Sequence, residues 1–243
     1  RDKETIDIEL QLKDLEAVEK KLDKYSKMMR TGDKEAKRGV EVLQQFVDHL
    51  SAGKSARSCG VEEEDLRFVA DLQLLTMKPI LYVCNVDEAA AKTGNAYVEK
   101  VRELVADEEA GIIVLAVATE ADIAELESYE ERQMFLEDLG LEEAGVNRLI
   151  RSAYNLLDLQ TYFTAGEKEV RAWTIRKGWT APQAAGVIHT DFEKGFIRAE
   201  VIAYSDYDQL GSEQACKEAG KLSVEGKEYI VQDGDVMHFR FNV

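Results

Sequence analysis

Pro79-Ile80-Leu81-Tyr82-Val83-Cys84-Asn85-Val86-Asp87-Glu88 decides the fold class of this 243-residue chain. Five apolar residues, Ile80 to Cys84, follow a proline without a polar break and stop at Asn85, the pattern of a parallel-sheet strand buried on both faces. Ligands of open α/β sheets bind in the crevice outside the carboxyl ends of the strands, which places Asn85 and Glu88 at a candidate site. Downstream, Ile112 to Val117 is a second apolar run, and Asn95 can cap a helix reaching about Asp107 between the two strands. Upstream, Glu62-Glu63-Glu64-Asp65 opens a stretch with Leu66, Val69, Leu72 and Leu75 at helical spacing, ending before Pro79. Helices are expected again over 121–139 and 145–157. Helix, strand, helix, strand, helix is an α/β layout with a parallel sheet. Two strands cannot make a stable parallel sheet alone, so part of this domain is expected to lie outside the sequence.

The first sixty residues have a different texture. Leu12, Leu15, Val18, Leu22, Tyr25 and Met29 step by three or four and line one helical stripe. Thr31-Gly32-Asp33-Lys34 interrupts it, and the stripe resumes at Ala36, Val40, Leu43, Val47 and Leu50. Two such stripes joined by a short turn predict an antiparallel, coiled-coil-like hairpin. Gly53-Lys54-Ser55 is not a phosphate loop: position 48 is Asp rather than Gly, and a helix precedes it instead of a strand.

Charge is distributed unevenly. The net charge is −17, yet Lys20 to Arg38 holds eight basic side chains against three acidic ones. Lys20, Lys24, Lys27 and Arg30 at the hairpin tip therefore belong to a candidate phosphate-facing patch, with a solvated helix face as the alternative. Three widely spaced cysteines suggest neither a disulfide framework nor a metal cluster, and fit a reducing compartment. No apolar run has the ~18 residues of a membrane span, and the charged start is not a signal peptide, so a soluble, cytoplasmic protein is expected.

From Leu159 onward, strands are expected at 159–164, 170–175, 196–204, 229–232 and 236–241, with helices at 182–190 and 206–219, as a small α+β domain. His189 and His238 have no acid–base or metal partner at recognisable spacing. Ala165-Gly166-Glu167-Lys168-Glu169-Val170-Arg171-Ala172-Trp173-Thr174, Ala181-Pro182-Gln183-Ala184-Ala185-Gly186, Ile188-His189-Thr190-Asp191-Phe192, Lys194-Gly195-Phe196-Ile197-Arg198-Ala199 and Asp233-Gly234-Asp235-Val236-Met237 resemble the TGS domain of the YchF or Obg-like ATPase family. Asn85-Val86-Asp87-Glu88, Ala121 to Leu126 and Leu141 to Arg148 resemble the same family in the same order.

The resemblance implies an incomplete P-loop nucleotide-binding domain, an inserted helical hairpin and a carboxyl-terminal β-grasp TGS domain. Expected boundaries are 1–66 for the hairpin, 67–157 for the nucleotide-binding part and 158–243 for TGS. It implies ATP, or GTP, with Mg²⁺ as the ligands of the intact protein, and a ribosome or RNA as partner. A monomer with no membrane or DNA partner is expected. The family's phosphate loop would precede this sequence, so no catalytic residue is expected within it and the chain as given is expected to be inactive. The base-reading residues remain. Guanine-specific relatives carry Asn-Lys-x-Asp after this strand, and here the Lys and Asp positions are Val86 and Glu88. The longer Glu88 side chain displaces the carboxylate, and Asn85 can offer its amide to N7 and the exocyclic amine of adenine. Val86 supplies an apolar contact, and Ala118 lies in the second base-flanking loop. The alternative function is a non-enzymatic docking module in which nucleotide only sets the conformation.

Overall fold

The computed structural model describes residues 1–30, 32–108, 110–166 and 169–242. Thr31 of the expected turn, and Glu167 and Lys168 of the 165–174 motif, lie outside them. The chain forms two compact units, Arg1–Ile80 and Leu81–Val243.

In the first unit, α1 (Asp2–Met29) and α2 (Lys34–Ser51) form the hairpin. Asp33 starts α2 by accepting the N–H groups of Glu35 and Ala36 on its side chain. The helices meet through Val18, Val42, Leu43, Phe46 and Leu50, all buried. Gly39 permits the close approach, since a Cβ there would stand 2.4 Å from a Tyr25 ring carbon. The stripe differs from expectation at its ends, with Leu12 58% exposed.

The helix expected over 62–75 is instead a series of short 3₁₀ turns at Glu63–Phe68, Ala70–Leu72 and Leu75–Met77. The buried Asp14 carboxylate accepts hydrogen bonds of 2.7 Å from the N–H groups of Leu75 and Thr76 and from the Thr76 hydroxyl. Asp65 receives the Arg38 guanidinium. These side-chain partners hold the backbone in turns that wrap the hairpin, burying Phe68, Val69 and Leu74 in its core. The hairpin unit therefore runs to Ile80, past the expected boundary at residue 66. At Gly53 the backbone takes φ +72° after the end of α2, and the Lys54 N–H bonds back to His49 O. Gly53-Lys54-Ser55 is thus a helix stop.

In the second unit, β1 (Leu81–Asn85) and β2 (Gly111–Leu115) pair in parallel, Asn85 opposite Leu115. They are connected through α3 (Ala96–Leu104), the crossover that parallel strands require. The single helix expected over 121–139 is two, α4 (Val117–Glu125) and α5 (Tyr129–Asp138), because Ser128 and Glu131 form a capping box that starts a new helix. Then α6 (Gly145–Leu156) leads into the carboxyl-terminal sheet.

That sheet comprises β3 (Leu159–Ala165), β4 (Val170–Arg176), β5 (Phe196–Ala203), β6 (Ser223–Glu225) and β7 (Asp235–Phe241), in the order β4-β3-β7-β5-β6. α7 (Ala181–Ile188) and α8 (Thr190–Lys194) follow β4, with Ala181, Ala184 and Ala185 of α7 in one core with Tyr162, Phe196 and Met237. α9 (Tyr204–Leu210) and α10 (Glu213–Glu218) replace one expected helix, split at Gly211 with φ +78°. The strand expected over 229–232 is reduced to a bridge between Thr180 and Ile230, and β6 forms upstream of it.

Candidate functional site

β1 delivers Asn85 to its carboxyl end, exposed, where the Asn85 Oδ1 accepts the Val117 N–H at 3.1 Å. One hydrogen bond thus joins the end of β1 to the first residue of α4. The Val86 N–H donates to Leu115 O at 2.9 Å and prolongs the strand pairing by one residue. Because Oδ1 is already engaged by one donor, the Asn85 side chain keeps its NH₂ and one further lone pair for a ligand. It can therefore donate to a purine N7, and it accepts from an adenine amine only as a second donor on the same oxygen.

Asp87 is used locally, its Oδ1 accepting the Ala90 N–H at 3.0 Å. The cap turns the chain into a 3₁₀ turn at Glu88–Ala90, with Glu88 exposed at its start. Ala118 is the exposed second residue of α4. A pocket of about 340 Å³ beside β1 is lined by Asn85 and Val86 with Val83, Asn95, Tyr97 and Val101. The structure brings Asn85 and Val86 into this pocket, while Glu88 and Ala118 are not among its lining residues. Val83, expected inside the sheet, is 47% exposed because it faces this pocket.

Sequence reasoning missed Glu120, two residues past Ala118. Its carboxylate accepts the N–H of Gly145 at 2.6 Å and of Val146 at 3.3 Å, so it caps α6 from outside that helix. No spacing rule signals it, since its partners lie 25 and 26 residues away. Nearby, the Arg148 guanidinium donates to Val114 O at 2.9 Å. Together these bonds fix α4, whose first N–H Asn85 accepts, and the end of β2 to α6.

On the hairpin, Lys20 and Lys27 are tied to Glu16 and Asp23, each at 2.6 Å and one helical turn away. The Glu16 carboxyl is held below its ordinary pKa by its hydrogen bond from Lys20. Lys24 and Arg30 are exposed. His189 caps α8 by accepting the Asp191 N–H on Nδ1 at 3.2 Å, a structural role. Among the described residues no group of three or more His, Cys, Asp or Glu side chains is placed to hold a metal ion.

A family model, YchF-GTPase_C, described as a protein of unknown function (DUF933), matches residues 159–242. The chain is 54% identical to the "Ribosome-binding ATPase YchF" of Bacillus subtilis (strain 168), over all of its own length and 66% of the relative's. It is 50% identical to the protein of the same name from Escherichia coli O157:H7, with the same coverage. The solved Schizosaccharomyces pombe YchF GTPase superposes with a TM-score of 0.84 at 34% identity, over 97% of this chain and 64% of that one. A GTP binding protein from Pyrococcus horikoshii OT3 shares the fold alone, with a TM-score of 0.56 at 19% identity over 99% and 71% of the two chains.

Proposed function

The chain belongs to the YchF family, and from that premise we propose that it is part of a ribosome-associated nucleotide-binding regulator whose intact form binds and slowly hydrolyses ATP, with GTP secondary. The observation that carries the reading is the Asn85–Val117 hydrogen bond, which makes the end of β1 and the start of α4 one polar platform for a purine base. In this reading residues 81–157 are the base-recognising part of a P-loop domain, residues 158–243 a TGS domain, and the hairpin an insertion. Asn85 donates to the base and Val86 packs against it. Glu88 stands at the sequence position where guanine-specific relatives hold an Asp, and its longer side chain weakens guanine selectivity. Mg²⁺, held by residues of the phosphate-binding part, would neutralise the phosphates there. Ribosome association supports a cytoplasmic location, and a monomer is the expected state.

A second reading is a docking module that nucleotide only reshapes, with the exposed basic side chains Lys24 and Arg30 of the hairpin at its contact surface. Two measurements on purified protein separate the readings. The 243-residue chain is expected to show no ATP hydrolysis above buffer and to cosediment with ribosomes, while a whole-length protein carrying this segment behind a phosphate loop hydrolyses ATP. Turnover by the 243-residue chain contradicts the assignment of its parts, and a whole-length protein that binds ATP without hydrolysing it favours the second reading.

A further inference from the structure

The carboxyl-terminal sheet ends on two unlike edges. At one, β6 is only three residues long and leaves little backbone for another strand to pair with. At the other, β4 is seven residues long, contains no proline, and pairs with β3 from Leu159↔Arg176 to Ala165↔Val170 without a bulge. The phase of this ladder is fixed at both ends. The Gly166 N–H donates to Glu169 O at 3.0 Å, and the Lys177 N–H donates to Asp158 O at 2.7 Å. Bonded and non-bonded pairs alternate between antiparallel strands, so Arg171, Trp173 and Ile175 exchange hydrogen bonds with β3. Val170, Ala172 and Thr174 therefore turn their N–H and C=O groups away from the sheet. Among the described residues nothing hydrogen-bonds to those groups, and all three residues are exposed, Val170 at 73%. The devices that usually blunt a sheet edge, a proline, a bulge or a short strand, are missing from β4.

The charge of this edge indicates what would pair with it. The chain carries a net −17, yet Glu169 to Lys177 holds Arg171, Arg176 and Lys177 against one acid, Glu169. The Arg171 guanidinium lies over the Trp173 ring, 4.1 Å from its centroid, and stands 3.9 Å from the Glu169 carboxylate. Arg176 is exposed and, among the described residues, forms no ion pair. The two arginines are five positions apart, ~17 Å at ~3.3 Å per residue, and so project from opposite faces of the strand. An added strand with two carboxylates at the same spacing would set one beside each arginine. Its four intervening residues would lie alongside Ala172, Trp173, Thr174 and Ile175, where β-branched side chains suit the pleated surface. A second β4 would instead place a basic strand beside a basic strand. We propose that the β4 edge is a docking site for an extended segment of another protein, four apolar β-branched residues between two carboxylates, bound as an additional strand of the sheet.

The probe is a fluorescein-labelled synthetic peptide, alternating Val and Ile over four positions between two aspartates, with Gly-Ser tails, followed by anisotropy as the 243-residue chain is added. Saturable binding is expected. An added strand turns only every other N–H toward β4, so two isomers N-methylated on alternate residues separate ladder pairing from apolar adhesion. One isomer is expected to lose at least about fivefold in affinity and the other to stay within about twofold of the parent peptide. Ala172→Pro removes an N–H that the fold does not use, at a position where an edge strand tolerates proline, and is expected to weaken binding at least about fivefold with an unchanged circular dichroism spectrum. Arg171→Gln combined with Arg176→Gln is expected to weaken binding about threefold at low salt and to remove most of its salt dependence. Absence of saturable binding overturns the proposal, and so do equal effects of the two isomers or full binding by a folded Ala172→Pro variant. The isomer comparison uses the wild type alone and decides the matter if that variant is unfolded. Self-association of the wild type in analytical ultracentrifugation that Ala172→Pro abolishes overturns the proposal in favour of a second copy of this chain.

Discussion

Asp235 is 5% exposed, and its Oδ2 accepts the Tyr229 hydroxyl at 2.8 Å and the Gln232 N–H at 2.9 Å. Burial raises its pKa above the ordinary aspartate value, against the opposing pull of those two donors. A carboxyl with a raised folded-state pKa contributes stability that is complete below the unfolded pKa and is lost as pH rises through the folded value. Asp235→Asn keeps an acceptor for both donors and removes the titration. The thermal midpoint of the variant relative to wild type is therefore expected to be higher at pH 7 than at pH 4, and the reverse order would show that the ionised form is the one the fold favours. Residue-level roles of this kind were only partly legible. Asn85 stood out because a polar residue ending an apolar run is visible in one dimension, whereas Val86 was singled out only by the resemblance. The engagement of Asn85 Oδ1 by Val117, and of Glu120 by the start of α6, depends on contacts over 32 and 25 positions that no local pattern encodes.

At the scale of elements, the hairpin and the parallel pair were readable because each follows a period: three to four residues for α1 and α2, an unbroken apolar run for β1 and β2. The segment after Glu62 was misread as a helix, although its apolar spacing and acidic start fit one. Asp14 explains the difference, since it takes the backbone N–H groups of Leu75 and Thr76 from across the hairpin. Thr76 Oγ1 also accepts the Ala56 N–H at 2.8 Å, so one carboxylate organises two connections around α1. Asp14→Ala leaves two backbone N–H groups and a hydroxyl without a partner in a buried site. We expect a loss of about 3 kcal/mol or more in urea denaturation followed on the hairpin's helical signal. A loss below about 1 kcal/mol would mean that water or a shift of the 75–76 turn replaces the carboxylate.

Across the whole molecule, the α/β class and the position of the carboxyl-terminal sheet agree with the sequence reading, and family membership rests on relatives matched over the full 243 residues. The extent of the hairpin unit was not legible, because whether residues 67–80 pack with the hairpin or the sheet is decided by burial of Phe68, Val69 and Leu74 rather than by composition. The central claim is that the end of β1 reads a purine base and tilts it toward adenine. Its most direct test is calorimetric binding of ATP and GTP to a whole-length protein carrying this segment, as wild type and as Asn85→Ala. ATP is expected to bind more tightly than GTP to the wild type, and the variant to lose at least about tenfold for ATP, of the order of 1–3 kcal/mol for a polar base contact. Equal ATP affinity in wild type and variant would contradict it.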